Sequence, residues 1–200
     1  MGICLFKIIR KTMKPLWMTT GRLGNQLFEF AALFAFSKQL GVDYYFQDPK
    51  YFEEYLPDIK RLLKEGIDFM DRVSIHVRLG DYVNNDFYVS LLKTTYYEKA
   101  MALFPEEKFL VFSDNIDYCK TLPVFKDCEF SEGRNEIDDF NLQASCKHNI
   151  IANSSFSYWC GILNPNPGKK VICPIETKYY ADGVVRTKYP KDFIQLDFSK

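Results

Sequence analysis

The segment VSIHVRLGDY, from Val73 to Tyr82, decides the fold prediction because an apolar strand pattern ends there in polar residues. A short apolar run that is bounded by a glycine, here Gly80, is typical of a strand buried inside a sheet. His76, Arg78 and Asp81 stand close together at the end of this run. In open α/β sheets ligands bind beyond the carboxyl ends of the strands. These three side chains are therefore candidate ligand contacts.

From Asp71 to the end of the chain, segments typical of strands alternate with segments typical of helices. The predicted strands are RVSIHVRL (72–79), KFLVFSD (108–114), CEFSE (128–132), NIIANS (149–154), KKVICP (169–174) and DFIQLD (192–197). The predicted helices are TTYYEKAMALF (94–104), IDYCKTL (116–122), EIDDFNLQASCK (136–147) and SFSYWCGILN (155–164). This alternation predicts an α/β fold with a parallel sheet.

The N-terminal part of the chain predicts a smaller α/β unit. KPLWM (14–18) and VDYYF (42–46) are predicted strands, the segment from Leu27 to Gly41 has apolar residues at helical spacing, and residues 50–65 are predicted to be helical. The boundary between the units is expected between Pro49 and Phe69. We therefore divide the chain into an N-terminal unit, residues 1–70, and a Rossmann-like domain, residues 71–200.

Composition excludes several classes of protein. The 26 basic and 26 acidic residues cancel, so no basic excess indicates a nucleic-acid partner. No apolar stretch reaches the length of a transmembrane helix, and the segment MGICLFKIIRKTMK lacks the order of a signal peptide. We therefore expect a cytoplasmic protein whose six cysteines stay reduced. Their spacing matches no zinc-binding pattern.

Two further predicted strands also end in polar residues. Ser113 and Asp114 end the second strand, and Asn153, Ser154 and Ser155 stand where a later strand gives way to a helix. Hydroxyl groups, an arginine and free helix N–H groups suit a phosphate-bearing ligand. The carboxylates and His148 are candidates for contacts to a base or a ribose. The structural alternatives are an Arg78–aspartate ion pair and plain helix capping by the serines.

The segment GRLGNQLF places Gly21 and Gly24 between a predicted strand and a predicted helix. Glycines at this spacing allow a ligand to approach the backbone and the helix N-terminus closely. The segment is neither a dinucleotide-binding GxGxxG nor a P-loop.

Taken together, four segments resemble the ordered motifs of glycosyltransferase family 11, the α-1,2-fucosyltransferases. They are GRLGNQLFEFA, SIHVRLGDY, FLVFSDN and CKHNIIANSSFSYWCGILN. The resemblance implies a GT-B-like fold in which two Rossmann-like units face a cleft. It also implies an inverting, metal-independent transfer of L-fucose from GDP-β-L-fucose to a hydroxyl group of a glycan acceptor. No cofactor other than this donor substrate is expected.

The resemblance also implies roles for the candidate residues. Arg78 binds the β-phosphate and stabilises the charge on departing GDP. His76 lies against the ribose or guanine, and Asp81 orients the loop or the arginine. The other expected donor contacts are Gly24, Asn25, Ser113, Asp114, His148, Asn153, Ser154 and Ser155.

The resemblance leaves the general base open. Asp86 stands much where the α-1,6-fucosyltransferase relatives place an acid, and it is the first candidate. Asp81 and Asp114 are the alternatives, and some relatives transfer fucose without an obvious base. An inverting transferase gains from a group that removes the proton of the acceptor hydroxyl.

The chain departs from the family pattern in two places. Leu79 replaces the second arginine of the common HxRRGD motif. Only about 30 residues separate Gly41 from Val73, so the N-terminal, acceptor-side unit is shortened. The alternatives are accordingly an inactive GDP-sugar or glycan-binding remnant and a transferase that uses another GDP-sugar such as GDP-mannose. A second subunit that completes the cleft is a further expectation from the shortened unit.

Overall fold

The computed structural model describes Leu27 and residues 69–82, 85–185 and 187–198. Six strands in these ranges form one parallel sheet in the order β3-β2-β1-β4-β5-β6. Their bounds are β1 Met70–Val77, β2 Phe109–Ser113, β3 Glu129–Phe130, β4 Cys146–Ile150, β5 Val171–Pro174 and β6 Ile194–Leu196. This is the strand order of a doubly wound Rossmann sheet. The predicted parallel α/β domain is confirmed.

Four α-helices connect these strands. They are α1 Tyr96–Met101, α2 Ile116–Lys120, α3 Glu136–Ser145 and α4 Ser155–Leu163. Asparagine side chains cap two of them, because the Asn115 oxygen accepts from the Tyr118 N–H and the Asn135 oxygen accepts from the Ile137 and Asp138 N–H groups. Short 3-10 turns lie at Gly80–Tyr82, Leu91–Lys93, Pro123–Phe125 and Glu176–Lys178.

Both faces of the sheet are covered, so the side chains of its central strands point alternately into two apolar cores. Val73, Ile75 and Val77 of β1 join a cluster with α1 and α2. The opposite core contains Trp159 of α4 and Val171 of β5, and the described residue Leu27 is buried within it. Burial on two faces explains why the strands are mostly apolar in sequence.

The strand β4 differs from its sequence prediction. It runs over Cys146–Ile150, whereas the sequence predicted a helix to residue 147 and a strand over 149–154. The sequence prediction missed the start of this strand because His148 and Asn149 are polar, and polar residues are not typical of a buried strand. The buried Asn149 amide donates to Ser74 Oγ at 2.8 Å and to the Gln143 carbonyl, and its oxygen accepts from Asn164. A fully paired asparagine is tolerated in a buried strand.

The N-terminal predictions lie outside the described residues, with one exception. Leu27, the first residue of the predicted helix 27–41, has helical backbone and is buried. The strands 14–18 and 42–46, the glycine turn and the helical segment 50–65 are not described. Of the proposed N-terminal unit, residues 1–70, the structure thus describes only Leu27, Phe69 and Met70, and Met70 already belongs to β1.

Within the described ranges, no helix is long and apolar enough to cross a membrane. Cys119, Cys128, Cys146, Cys160 and Cys173 are free thiols, and all but Cys128 are buried. Burial raises the pKa of Cys146 to about 12, which suits a core residue rather than a nucleophile.

Tyr96 bridges the residue that follows β4 and the second residue of β5. Its hydroxyl donates to the Ile151 carbonyl at 2.6 Å and lies 3.2 Å from the Ile172 carbonyl, and the side chain is fully buried. The Tyr96→Phe variant should lower the free energy of unfolding by about 1–2 kcal/mol, because a buried carbonyl loses its partner. Urea denaturation followed by circular dichroism measures this change.

Tyr118 provides the matched control because it is 49% exposed. Tyr118→Phe should change the free energy of unfolding by less than about 0.5 kcal/mol. Equal effects of the two substitutions would contradict the bridging role of the Tyr96 hydroxyl.

Candidate functional site

The candidate site is centred on an ion pair between the ends of β1 and β2. Arg78 follows β1 directly, and its Nη1 lies 2.7 Å from Asp114 Oδ2. The other carboxylate oxygen, Oδ1, accepts from the Leu79 N–H at 2.9 Å. The two side chains are 11% and 24% exposed, so the pair is shielded from water but still reachable from the surface. A charge-assisted bond of this kind fixes the direction of the guanidinium.

Gly80 allows the carboxylate to come this close. A Cβ atom at this position would stand 2.5 Å from Asp114 Oδ2, well inside van der Waals contact. A side chain at position 80 would therefore force the Asp114 carboxylate to move, whereas the backbone angles of Gly80 are not of the left-handed kind. The sequence showed the glycine but not this reason for it.

His76 lies on the same strand, two residues before Arg78, and is buried. Its ring stacks on Phe156 in the first turn of α4, with 5.4 Å between the ring centroids. Burial, assisted by the charge of Arg78, lowers the pKa of His76 to about 3, so the imidazole is neutral at physiological pH. The Nδ1 atom is buried and has no hydrogen-bond partner among the described residues.

Tyr82 connects the end of β1 to the segment that follows β4. Its hydroxyl donates to the Asn153 carbonyl at 3.0 Å, and Arg78 lies over its ring at 5.4 Å from the centroid. The Asn153 amide donates to the carbonyls of Val89 and Tyr179, both at 2.9 Å. Asn153 therefore holds two loops beside the site. The sequence analysis missed Tyr82, although its position directly after Asp81 was a usable signal.

The N-terminus of α4 completes this edge of the sheet. Ser154 is the N-cap residue and has extended backbone, but its side chain makes no capping hydrogen bond. Ser155 begins the helix, and no acidic residue stands in the first turn. The helix N-terminus consequently keeps its partial positive charge, which suits a phosphate or another anion. The strand order reverses between β1 and β4, so Arg78 and Ser154 flank the topological switch point.

A polar groove of about 480 Å³ opens beside this edge, at the ends of β2 and β3. Ser113 and Asp114 line it, and Ser113 Oγ accepts from the Asn115 N–H at 3.1 Å. The sequence analysis missed the opposite wall, which consists of Lys120, Ser131, Glu132, Gly133, Arg134 and Asp139. The polar run SEGR after β3 was the available signal.

His148 is not brought together with the other candidates. It pairs in register with Val73, three residues before His76 and so roughly 10 Å back along the sheet. Its ring stacks on Phe104 in the core of the opposite face, and its Nδ1 accepts from the Lys170 backbone N–H. His148 is the third of the five residues of β4, and its ring packs on the face of the sheet opposite to that of His76.

The remaining candidates are placed as follows. The backbone of Asp81 lies in the 3-10 turn Gly80–Tyr82, directly after Arg78. Asp86 is exposed in the turn that runs from Asn85 to Tyr88, and it makes no hydrogen bond or ion pair with other described residues. Gly24 and Asn25 lie outside the described residues.

In the part of the chain that the structure describes, no three His, Cys, Asp or Glu side chains come together as metal ligands. Among the described residues, the positive groups at the ends of β1 and β4 include the Arg78 guanidinium and the N-terminus of α4. The arrangement can bind an anion and stabilise negative charge that develops on it.

Similar proteins include two curated enzymes of Escherichia coli. The alpha-1,2-colitosyltransferase is 32% identical over 142 residues, covering 58% of this chain and 48% of the relative. The O-antigen biosynthesis glycosyltransferase WbnK is 34% identical over 112 residues, covering 50% of this chain and 37% of the relative. The chain thus spans about half or less of the length of these relatives.

Among solved structures, the KpsC beta Kdo 2,7 transferase of Thermosulfurimonas dismutans matches with a TM-score of 0.39 and 16% identity. The match covers 72% of this chain and 48% of that one, a likeness too low to support any inference here. The family model of glycosyl transferase family 11, in contrast, matches residues 43–193, most of the chain. The resemblance seen in the motifs is confirmed, and this chain belongs to glycosyl transferase family 11.

Proposed function

We propose that the protein transfers L-fucose from GDP-β-L-fucose to a hydroxyl group of a glycan acceptor and forms an α-1,2 linkage. The observation that carries this proposal is Arg78, which Asp114 holds at the switch point of the sheet, on the same side of the sheet as the N-terminus of α4. A guanidinium has five N–H donors, so its bond to Asp114 is compatible with a second contact to a diphosphate.

The donor is proposed to lie across the carboxyl ends of β1, β2 and β4. Its β-phosphate contacts Arg78 and the N–H groups at Ser154 and Ser155, while the nucleoside lies on the side of His76 and Ser113. Asp114 then acts on the donor through Arg78, since both of its oxygens already accept hydrogen bonds. Gly24 and Asn25 are proposed to approach the phosphates from the N-terminal unit.

The reaction is a displacement at C1 of the sugar. The acceptor oxygen forms the new bond, the bond from C1 to the β-phosphate oxygen breaks, and GDP leaves with the electron pair. The transition state gains negative charge on the diphosphate, so Arg78 binds it more strongly than the ground state. The proton of the acceptor hydroxyl passes to a base, for which Asp86 is proposed and Asp81 is the alternative. The proposed transfer reaction uses no metal ion.

The name of one relative suggests a second candidate donor for this protein. Colitose is L-fucose without its 3-hydroxyl group, and one similar enzyme is named an alpha-1,2-colitosyltransferase. GDP-colitose is therefore the alternative donor to test beside GDP-fucose.

We further propose that the protein acts in the cytoplasm, and that a second subunit completes the shortened acceptor side.

Arg78→Ala should lower kcat/KM by on the order of 10²- to 10³-fold, because a preorganised donor at the developing charge is lost. The rate of GDP release from GDP-fucose in the presence of lactose measures kcat/KM. EDTA is present in every assay to remove metal ions. Arg72→Ala is the matched control, since Arg72 lies in β1, the strand that Arg78 follows, and pairs with Glu129 near the other end of that strand. Turnover by Arg78→Ala at the wild-type rate would contradict the role of Arg78 in stabilising the departing GDP. A wild-type protein that binds GDP-sugar but shows no turnover would favour the alternative of an inactive binding remnant.

Asp86→Asn should lower kcat by about 10²-fold or more while the Kd for GDP-fucose stays unchanged, because the amide cannot take the acceptor proton. Rapid-quench turnover and donor titration separate the two quantities. Asp81→Asn is run in parallel. A loss confined to Asp81→Asn would move the base to Asp81, and full activity in both variants would show that neither carboxylate is needed.

His76 should make the fold less stable in acid. Its pKa is about 3 in the folded protein against 6.5 in the unfolded chain, so the unfolded state binds the extra proton as pH falls. Between about pH 7.5 and about pH 5, this linkage lowers the free energy of unfolding by about 2 kcal/mol. Urea titrations of wild type and His76→Gln over this range should show a smaller pH dependence in the variant. Equal pH dependence would mean that His76 is not buried as a neutral ring.

A further inference from the structure

Asn153 stands just before α4, and its side-chain amide is bound to the protein itself. The residue is 2% exposed, and its amide nitrogen donates to the carbonyls of Val89 and Tyr179, both at 2.9 Å. A side-chain amide has two N–H groups, so both are used here. The sequence predicted Asn153 as a donor contact, but its amide has no N–H group left for a ligand.

The two carbonyls belong to different segments beside the site. Val89 lies in the segment between β1 and α1, and Tyr179 lies in the segment that follows β5. These segments also meet in an antiparallel bridge between Tyr88 and Tyr180. Asn153 thus fastens both segments next to the start of α4. An apolar side chain at this position would leave two carbonyls without these partners, which is unfavourable in a buried place.

The backbone of Asn153 is connected to Arg78. Its carbonyl accepts from the Tyr82 hydroxyl at 3.0 Å, and the guanidinium of Arg78 lies over the Tyr82 ring at 5.4 Å from the centroid. A cation over an aromatic ring is attracted to it. The next residue after Asn153 is Ser154, the N-cap of α4. One buried residue therefore links the guanidinium to the helix N-terminus.

The guanidinium and the helix N-terminus must be placed correctly relative to each other if a single diphosphate is to contact both. The ion pair with Asp114 relates Arg78 to the end of β2. The contacts through Tyr82 and Asn153 relate Arg78 to β4 and α4. A misplacement of about 1 Å is enough to weaken the contacts that binding groups make to a shared ligand.

We propose that Asn153 is a positioning residue that aligns Arg78 and the N-terminus of α4 on the diphosphate of the donor. This inference rests on the proposed glycosyl transfer. Asn153 acts through Tyr82 and through the backbone that it shares with Ser154, so its effect on ligand binding depends on Arg78. The effect of a residue that only stabilises the fold has no such dependence. A double-mutant cycle measures this difference.

Calorimetric titration with GDP tests the proposal, because it needs neither an acceptor nor turnover. The proteins are the full-length wild type, Asn153→Ala, Arg78→Ala and the double variant. Asn153→Ala should raise the Kd for GDP by about tenfold, the change expected when a hydrogen bond to a charged group is weakened. In the Arg78→Ala background the same substitution should change the Kd by less than about twofold, because the guanidinium that it aligns is gone.

Asn164→Ala is the matched control. Asn164 is 3% exposed, is the C-cap of the same helix, and donates from its amide to the Cys146 carbonyl and to Asn149 Oδ1. Asn153→Ala and Asn164→Ala should lower the urea midpoint by similar amounts, since each removes a buried amide with two bonds. Only Asn153→Ala should weaken GDP binding.

Tyr82→Phe replaces Asn153→Ala in the cycle if the alanine variant does not fold. It keeps the aromatic ring and removes only the hydroxyl that bonds to the Asn153 carbonyl. We expect it to raise the Kd for GDP by about threefold, and to have no further effect in the Arg78→Ala background.

The outcomes separate this inference from the proposed function. Equal Kd values for wild type and Asn153→Ala, or equal losses in Asn153→Ala and Asn164→Ala, would contradict the positioning role and leave the donor site standing. A loss of about tenfold that persists in the Arg78→Ala background would also contradict it, since the effect would then be independent of the guanidinium. A wild-type protein that does not bind GDP would overturn the donor site and the positioning role together.

Discussion

The ion pair between Arg78 and Asp114 is the constraint around which the site is built. It joins the ends of two adjacent strands, at 2.7 Å, and its carboxylate also accepts the Leu79 N–H. The two side chains are only 11% and 24% exposed, so removing either of them would leave the other charge unpaired and largely shielded from water. An unpaired charge in such a place is energetically unfavourable. The pair therefore holds the guanidinium in one direction before any ligand arrives. Preorganisation of this kind is what a site needs to stabilise developing charge.

Several neighbouring features follow from this pair. Gly80 leaves room for the carboxylate, and Tyr82 lies under the guanidinium and bonds to the segment after β4. His76 stays neutral because it is buried beside a positive charge. Arg78 and the start of α4 both lie at the carboxyl ends of neighbouring strands, β1 and β4, where the strand order reverses.

The sequence predicted the parallel sheet well because buried strands between helices leave an apolar pattern with clear ends. It also predicted that Arg78, Asp114 and Ser154 stand at strand ends, and the structure places them at the ends of β1, β2 and β4. That these ends carry the site stays a prediction. It misplaced β4, because His148 and Asn149 are polar residues whose partners come from distant parts of the chain. The contact between Tyr88 and Tyr180 could not be predicted either, because the two residues are paired by an antiparallel bridge that local sequence spacing does not encode.

We propose that this edge of the sheet binds a GDP-sugar and that fucose is its preferred sugar. Calorimetric titration of the purified wild-type chain with GDP-fucose and with GDP-mannose tests it most directly, because no acceptor has to be known. The account predicts one site per chain and a lower Kd for GDP-fucose. Binding of neither nucleotide sugar, or a lower Kd for GDP-mannose, would contradict it.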